Sequence, residues 1–175
     1  MSLRIIIDGY NLIRQSSTLR SLDSLDITKG REKLIEKLSH YRRLKRHPVL
    51  VVFDGWQEGN FTEQRTKEKG IDIIYSKRGE KADEVIKRLV SNCREELIVV
   101  TSDREIINFC KSRRCEVIPS PSFEEKMEFS FFASMKGIEE DNGDKPQRSL
   151  STRKKGPSKK LPKSERKSLK RLKKL

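Results

Sequence analysis

The sequence predicts an α/β domain, built on a mostly parallel sheet with helices on both faces and followed by a basic tail. Five short apolar runs, mostly β-branched, alternate with helical patterns along the first 136 residues. Three of these runs lack polar alternation, as strands covered on both faces do. After Met135 the composition changes abruptly. Strands separated by helices pair in parallel through right-handed crossovers, which places helices above and below the sheet.

Arg4-Ile-Ile-Ile7 is the first strand. A helix follows over roughly residues 31–46, leading to the second strand, Val49-Leu-Val-Val-Phe53. Residues 57–70 are polar, and a short helix over 62–69 would complete the alternation before the third strand, Ile71-Asp-Ile-Ile-Tyr75. Over 81–93, Ala82, Val85, Ile86, Leu89, Val90 and Cys93 form one apolar stripe at helical spacing. Leu97-Ile-Val-Val-Thr101 is the fourth strand, residues 104–112 a helix, and Cys115-Glu-Val-Ile118 the fifth strand. Ser122 with Glu125 fits a capping box opening a last helix, with Phe123, Met127 and Phe131 on one side.

The 175 residues contain 40 Lys and Arg against 26 Asp and Glu, a formal net charge of +14. Fourteen of the basic residues and a single acid, Glu165, lie in 145–175, which leaves 26 basic and 25 acidic residues for the rest. Residues 1–144 are therefore close to neutral. An acidic stretch, Glu139-Glu-Asp-Asn-Gly-Asp144, joins the body, residues 1–136, to a tail that carries Pro146, Pro157 and Pro162 and no aromatic residue. Such a segment buries too little apolar surface to offset its ordering entropy, so 137–175 is predicted to be disordered when free. Residues 164–175 could form a short basic helix against a partner.

No run approaches the roughly 18 apolar residues of a membrane helix, and the N-terminus lacks signal-peptide features. A soluble, cytoplasmic protein without membrane contact is expected. Cys93, Cys110 and Cys115 are odd in number and sit in apolar or helical contexts, which argues against a disulfide framework. With His40 and His47 they show no zinc-ligand spacing, and all three read as buried or half-buried thiols.

The predicted strands end in acids. Asp8 follows the first, Asp54 the second and Asp103 the fourth, while Asp83 and Glu84 open the helix after the third. In open parallel sheets ligands bind beyond the carboxyl ends of the strands, where strand order reverses. Gathered there, like charges need raised pKa values or a cation. Oxygen ligands without His or Cys suit Mg²⁺ or Mn²⁺, ions that activate water for phosphodiester hydrolysis. Each acid has a simpler reading as well. Asp8 and Asp103 can be helix caps, Asp54-Gly55 a turn, and Asp83 and Glu84 first-turn acids favoured by the helix dipole.

Asp8-Gly-Tyr-Asn11 after Ile5-Ile-Ile7, Ala82-Asp-Glu84 opening a helix, and Val100-Thr-Ser-Asp103 after a strand resemble, in that order, the NYN domain. The resemblance is specifically to its YacP-like group of bacterial ribonucleases with a PIN-like fold, over about residues 3–120. Phe53-Asp-Gly55 also resembles the second-strand motif of the wider PIN and flap-nuclease superfamily. The resemblance implies a PIN-like three-layer fold with a five-stranded sheet and a divalent-metal endoribonuclease. It makes Asp8, Asp83 and Asp103 the catalytic ligands, with Asp54 a further member of the metal site. Asn11 and Ser102 would orient a ligand or touch the scissile phosphate, although Asn11 can equally cap a helix. Two features depart from the family pattern. Trp56 stands where a small residue is expected and could stack on a base or pack over the sheet edge, and the basic tail lies beyond the family core.

A carboxylate-rich site needs positive surroundings to receive phosphate. Lys77, Arg78 and Lys81 around Gly79, and Arg104 beside Asp103, are the candidate substrate-binding residues. Arg42-Arg-Leu-Lys-Arg46 reads instead as a helix end where bases complement the dipole. The tail is expected to give sequence-independent, salt-sensitive affinity for RNA, including ribosomal RNA surfaces. A non-catalytic RNA-binding protein on the same scaffold and a structure-specific DNA nuclease are the alternative functions.

Overall fold

The computed structural model describes residues 3–55, 61–93 and 96–136. Trp56 and the tail lie outside these residues, so the readings made for them are not addressed by the structure. The elements are β1 (Arg4–Asp8), α1 (Gly9–Gln15), α2 (Ser17–Leu25), α3 (Ile27–Lys45), β2 (Val49–Phe53), β3 (Gln64–Glu68), β4 (Ile71–Tyr75), α4 (Ala82–Asn92), β5 (Leu97–Val100), α5 (Arg104–Ser112), β6 (Glu116–Ile118) and α6 (Ser120–Lys136).

The strands form one sheet in the order β3-β4-β2-β1-β5-β6. From the central β1 the chain builds outward through β2 to β4, then returns to the other side of β1 for β5 and β6. Asp8 pairs with Val52 of β2, and Ile7 pairs with Val100 of β5. The reversal of strand order therefore sets the carboxyl ends of β1, β2 and β5 side by side, where such sheets bind ligands.

Alternate residues of each strand face opposite layers. Ile5, Ile7, Val51, Phe53, Ile73, Ile98 and Val100 pack beneath α1, α2, α3 and α6 through Leu12, Leu19, Leu38, Tyr41, Phe123 and Met127. Ile6, Leu50, Val52, Ile74, Leu97 and Val99 pack against α4 and α5 through Val85, Ile86, Ile106 and Cys110. Burial on both faces is the reason these strands show no polar alternation. The helix predicted over 104–112 has the observed limits, and that over 81–93 differs by one residue at each end.

Four sequence expectations need correction. The sheet has six strands rather than five, because residues 62–69 supply β3 instead of a helix. β3 pairs antiparallel with β4 from Gln64 opposite Tyr75 to Glu68 opposite Ile71. A two-residue turn closes this hairpin, with Lys69 at φ 49° and Gly70 at φ 85°, the left-handed pair that matches strand twist. Ser39 Oγ–H donates to the Lys69 carbonyl at 2.7 Å and ties the turn to α3. β3 is an edge strand, half-buried at Gln64 and exposed thereafter, so it shows none of the apolar signal that marks a core strand.

The remaining corrections concern helices. Residues 9–25, for which the sequence predicts no element, form α1 and α2, and α3 begins at Ile27 rather than at 31. The last helix begins at Ser120, before the predicted Ser122 cap. Phe123 N–H already donates to the Pro119 carbonyl at 3.0 Å, so Ser122 sits inside the first turn. Phe123 and Met127 are buried as predicted, and Phe131 is half-buried against the same core.

No helix among the described residues is long and apolar enough to cross a membrane. Cys110 is buried and Cys93 and Cys115 are half-buried, all as free thiols.

Candidate active site

Asp8 ends β1 and is only 7% exposed. Its Oδ1 accepts the Asn11 N–H at 3.2 Å, capping α1, and its Oδ2 accepts the Thr101 hydroxyl at 3.1 Å. Thr101 Oγ1 in turn accepts the Asp103 N–H at 3.1 Å, so one hydroxyl links two of the acids. Asp103 Oδ1 accepts the Glu105 and Ile106 N–H groups at 2.7 and 3.2 Å and caps α5. Capping and site membership are thus the same placement, since a side chain that caps a helix after a strand stands at the carboxyl edge.

Asn11 extends this network. Its Oδ1 accepts the Ser102 N–H at 2.9 Å and the Ser120 hydroxyl at 2.7 Å, while Ser102 Oγ accepts the Ser120 N–H at 3.1 Å. Asn11, Ser102 and Ser120 therefore pin the ends of β1 and β5 to the start of α6. With that oxygen engaged twice, Asn11 acts on the site by fixing its backbone.

On the other flank, Asp54 Oδ1 accepts the Ala82 N–H at 2.6 Å, which places the start of α4 and hence Asp83. Gly55 N–H donates to Ser76 Oγ at 3.0 Å, and that hydroxyl donates to the Glu80 carbonyl at 2.6 Å. A Cβ on Gly55 would lie 1.8 Å from the Ser76 carbonyl oxygen. Gly55→Ala must therefore push β2 and β4 apart beside Asp54. We expect it to lower stability by about 3 kcal/mol, read as a reduced urea midpoint at unchanged slope, and to reduce any activity that uses Asp54 and Asp83.

The acids feel one another. Burial first, and then the charges of Asp83 and Asp54, raise the Asp8 pKa to about 6 against the hydrogen bonds from Asn11 and Thr101. The half-buried Asp83 is also raised, first by burial and then by Asp103 and Asp54, with Lys87 opposing. The N-termini of α1, α4 and α5 converge on the same edge and offset part of this repulsion.

These carboxylates form an all-oxygen donor set suited to a hard divalent cation. Among the described residues no three acidic, His or Cys side chains form a coordination group on their own. Asp8, Asp54 and Asp103 each commit oxygens to the network above. A cation of the Mg²⁺ kind fits such a site through one or two carboxylates, with water and phosphate completing its shell.

Of the predicted cations, Lys77 and Arg78 are exposed on the turn after β4, around Gly79 at φ 84°. Lys81 is exposed at the N-cap of α4, and Arg104 is exposed in the first turn of α5. Glu84 is exposed beside Asp83. Sequence reasoning did not single out Thr101, Ser76 or Ser120, small hydroxyls whose roles come only from packed geometry. It also gave no role to Tyr10, which is buried with its ring edge-on to Phe53 at 5.1 Å and its hydroxyl unpaired.

A family model described as the YacP-like NYN domain matches residues 5–174. This match runs through the basic tail, beyond the 3–120 span on which the resemblance rested. The protein YacP of Bacillus subtilis (strain 168) is 30% identical over 102 residues, covering 57% of this chain and 59% of that protein. The aligned part thus spans less than two thirds of that relative. Two crystal structures of Rae1 (YacP) from Bacillus subtilis, one of them a mutant, match with TM-scores of 0.65 and 0.64 at 23% and 24% identity. They cover 79% and 78% of this chain and 80% of theirs. The likeness is one of fold.

Proposed function

The chain belongs to the YacP-like NYN domain family, and from that premise we propose that it is a metal-dependent endoribonuclease acting at the carboxyl edge of its sheet. The carrying observation is that four chain segments deliver Asp8, Asp54, Asp83 and Asp103 to one edge, where burial first and the neighbouring acids second raise Asp8 and Asp83. Asp8 and Asp83, with Asp54 and Asp103 beside them, are the residues that would hold Mg²⁺ or Mn²⁺. Such an ion supplies an activated water and charge stabilisation at the scissile phosphate.

The chain's own contribution is positioning. Thr101 holds the Asp8 carboxylate and the Asp103 backbone together, and Asp54 fixes where α4 begins. Asn11, Ser102 and Ser120 keep the β1 and β5 ends in register with α6. Lys77, Arg78, Lys81 and Arg104 supply the cationic surroundings that bring a phosphate backbone to an acidic cluster. The tail adds long-range affinity for RNA, including RNA on a ribosomal surface.

One observation favours a second reading. Asp8 and Asp103 both serve as helix caps, so the acids could be structural on a protein that binds RNA without cutting it. End-labelled RNA and DNA of one sequence, incubated with the full chain over a Mg²⁺ and Mn²⁺ series, separate the cases. RNA cleavage that a chelator stops is expected. Binding without cleavage supports the second reading, and faster cleavage of DNA points to a DNA nuclease. Deleting 145–175 should weaken RNA binding about 100-fold near 0.1 M salt and flatten its salt dependence, while a short RNA remains cleavable. Unchanged binding would remove the role given to the tail.

A further inference from the structure

Phe61 is 82% exposed. A single exposed apolar residue is ordinary in itself, but its place in the fold is not. β3 runs antiparallel to β4, with Gln64 opposite Tyr75, so residues 61–63 enter the sheet at the carboxyl end of β4. That is the edge where the acids gather. Arg88 of α4 pairs with both Glu63 and the buried Glu80, clamping the segment before β3 and the turn after β4 to the helix that carries Asp83. Gln64 Nε2–H donates to Thr62 Oγ1 at 3.0 Å and fixes the bend between them. Phe61 stands two residues from one arm of this clamp, and Arg78 two residues from the other.

An aromatic face at the same sheet edge as exposed Lys77 and Arg78 combines the two elements that hold single-stranded nucleic acid, a stacking platform and a cationic track. A protein or lipid surface would call for a broader apolar patch. The other exposed aromatics among the described residues, Phe129 and Phe132, lie on α6, which packs with α1 and α3. We infer that Phe61 is a base-stacking residue for the RNA strand, flanking the phosphate at the acidic edge on the β4–α4 side. The inference rests on the RNA reading of the site. Stacking tolerates any base and responds weakly to salt, whereas a charged tail gives affinity that salt removes.

The test uses the full chain with a chelator present, so that nothing is cut, and a short single-stranded RNA containing 2-aminopurine. Wild type should quench the base fluorescence, and at elevated salt Phe61→Ala should bind about 10-fold more weakly without quenching. Phe61→Trp should restore both properties. Equal affinity and equal quenching for wild type and Phe61→Ala would overturn the inference and leave the RNA reading standing. Failure of the unsubstituted chain to bind RNA at all would overturn both.

Discussion

Asp8→Asn is expected to abolish cleavage while making the protein more stable at neutral pH. Burial, with the charges of Asp83 and Asp54, raises the Asp8 pKa from 3.8 to about 6. The folded state therefore binds this proton more tightly than the unfolded chain. The resulting stability is fully present below the unfolded value and is lost as pH rises through about 6. Each pKa unit corresponds to about 1.4 kcal/mol, so the ionised carboxylate costs the folded protein about 3 kcal/mol above that window. Asn keeps the shape and the acceptor for the Asn11 N–H, but it makes the Thr101 hydroxyl reverse from donor to acceptor. A net gain of about 1 kcal/mol at pH 8 remains. Thermal unfolding at pH 4.5 and pH 8 reads it as a gap between variant and wild type that opens only at the higher pH. Adding Mg²⁺ should stabilise wild type and leave Asp8→Asn unmoved, since only a ligand bound by the folded state shifts the equilibrium. A variant less stable than wild type at pH 8 would show that the buried charge is compensated within the protein.

Asp83→Asn and Asp103→Asn are expected to reduce cleavage about 100-fold or more, judged by the cost of disturbing residues that merely support a metal site, while RNA binding is kept or improved. Neither should unfold the protein. Asp83 is half-buried in the first turn of α4, with a pKa that burial and the neighbouring acids raise, so losing its charge relieves repulsion. Asp103 caps α5 through Oδ1, and Asn caps as well as Asp. Asp103→Ala would lose the cap too, at about 1 kcal/mol. Comparing the Asn and Ala variants separates the charge from the cap.

The parallel core was legible because its strands are buried on both faces and read as continuous apolar runs, as in Ile5-Ile-Ile7 and Leu97-Ile-Val-Val. β3 was not, because an exposed edge strand such as Gln64-Arg-Thr-Lys-Glu68 owes its conformation to pairing with β4. Its one local sign, Lys69-Gly70 before an apolar run, is a weaker hairpin signal than Asn-Gly. Helices α1 and α2 escaped for a similar reason. Of the caps that define them, Asp8 reads equally as a metal ligand and Ser16 gives no signal of its own, and α2 buries only Leu19.

At the site, the acids announced themselves by following strands, and the strand order explains why that places them together. Their supports did not. Thr101 is an ordinary strand-end residue until Asp8 and Asp103 stand on either side of its hydroxyl. The Arg88 clamp joins Glu63 and Glu80 across a hairpin that the sequence did not disclose.

The claim that this edge is a cation-dependent cutting site is tested most directly by cleavage of one labelled RNA by chelator-stripped wild type and Asp83→Asn, side by side across a Mn²⁺ titration. Wild type should be silent without metal and gain activity along a saturable curve, while Asp83→Asn stays near background throughout and still binds the RNA. Full-rate cutting by metal-free wild type, or by Asp83→Asn at any point of the series, would contradict it.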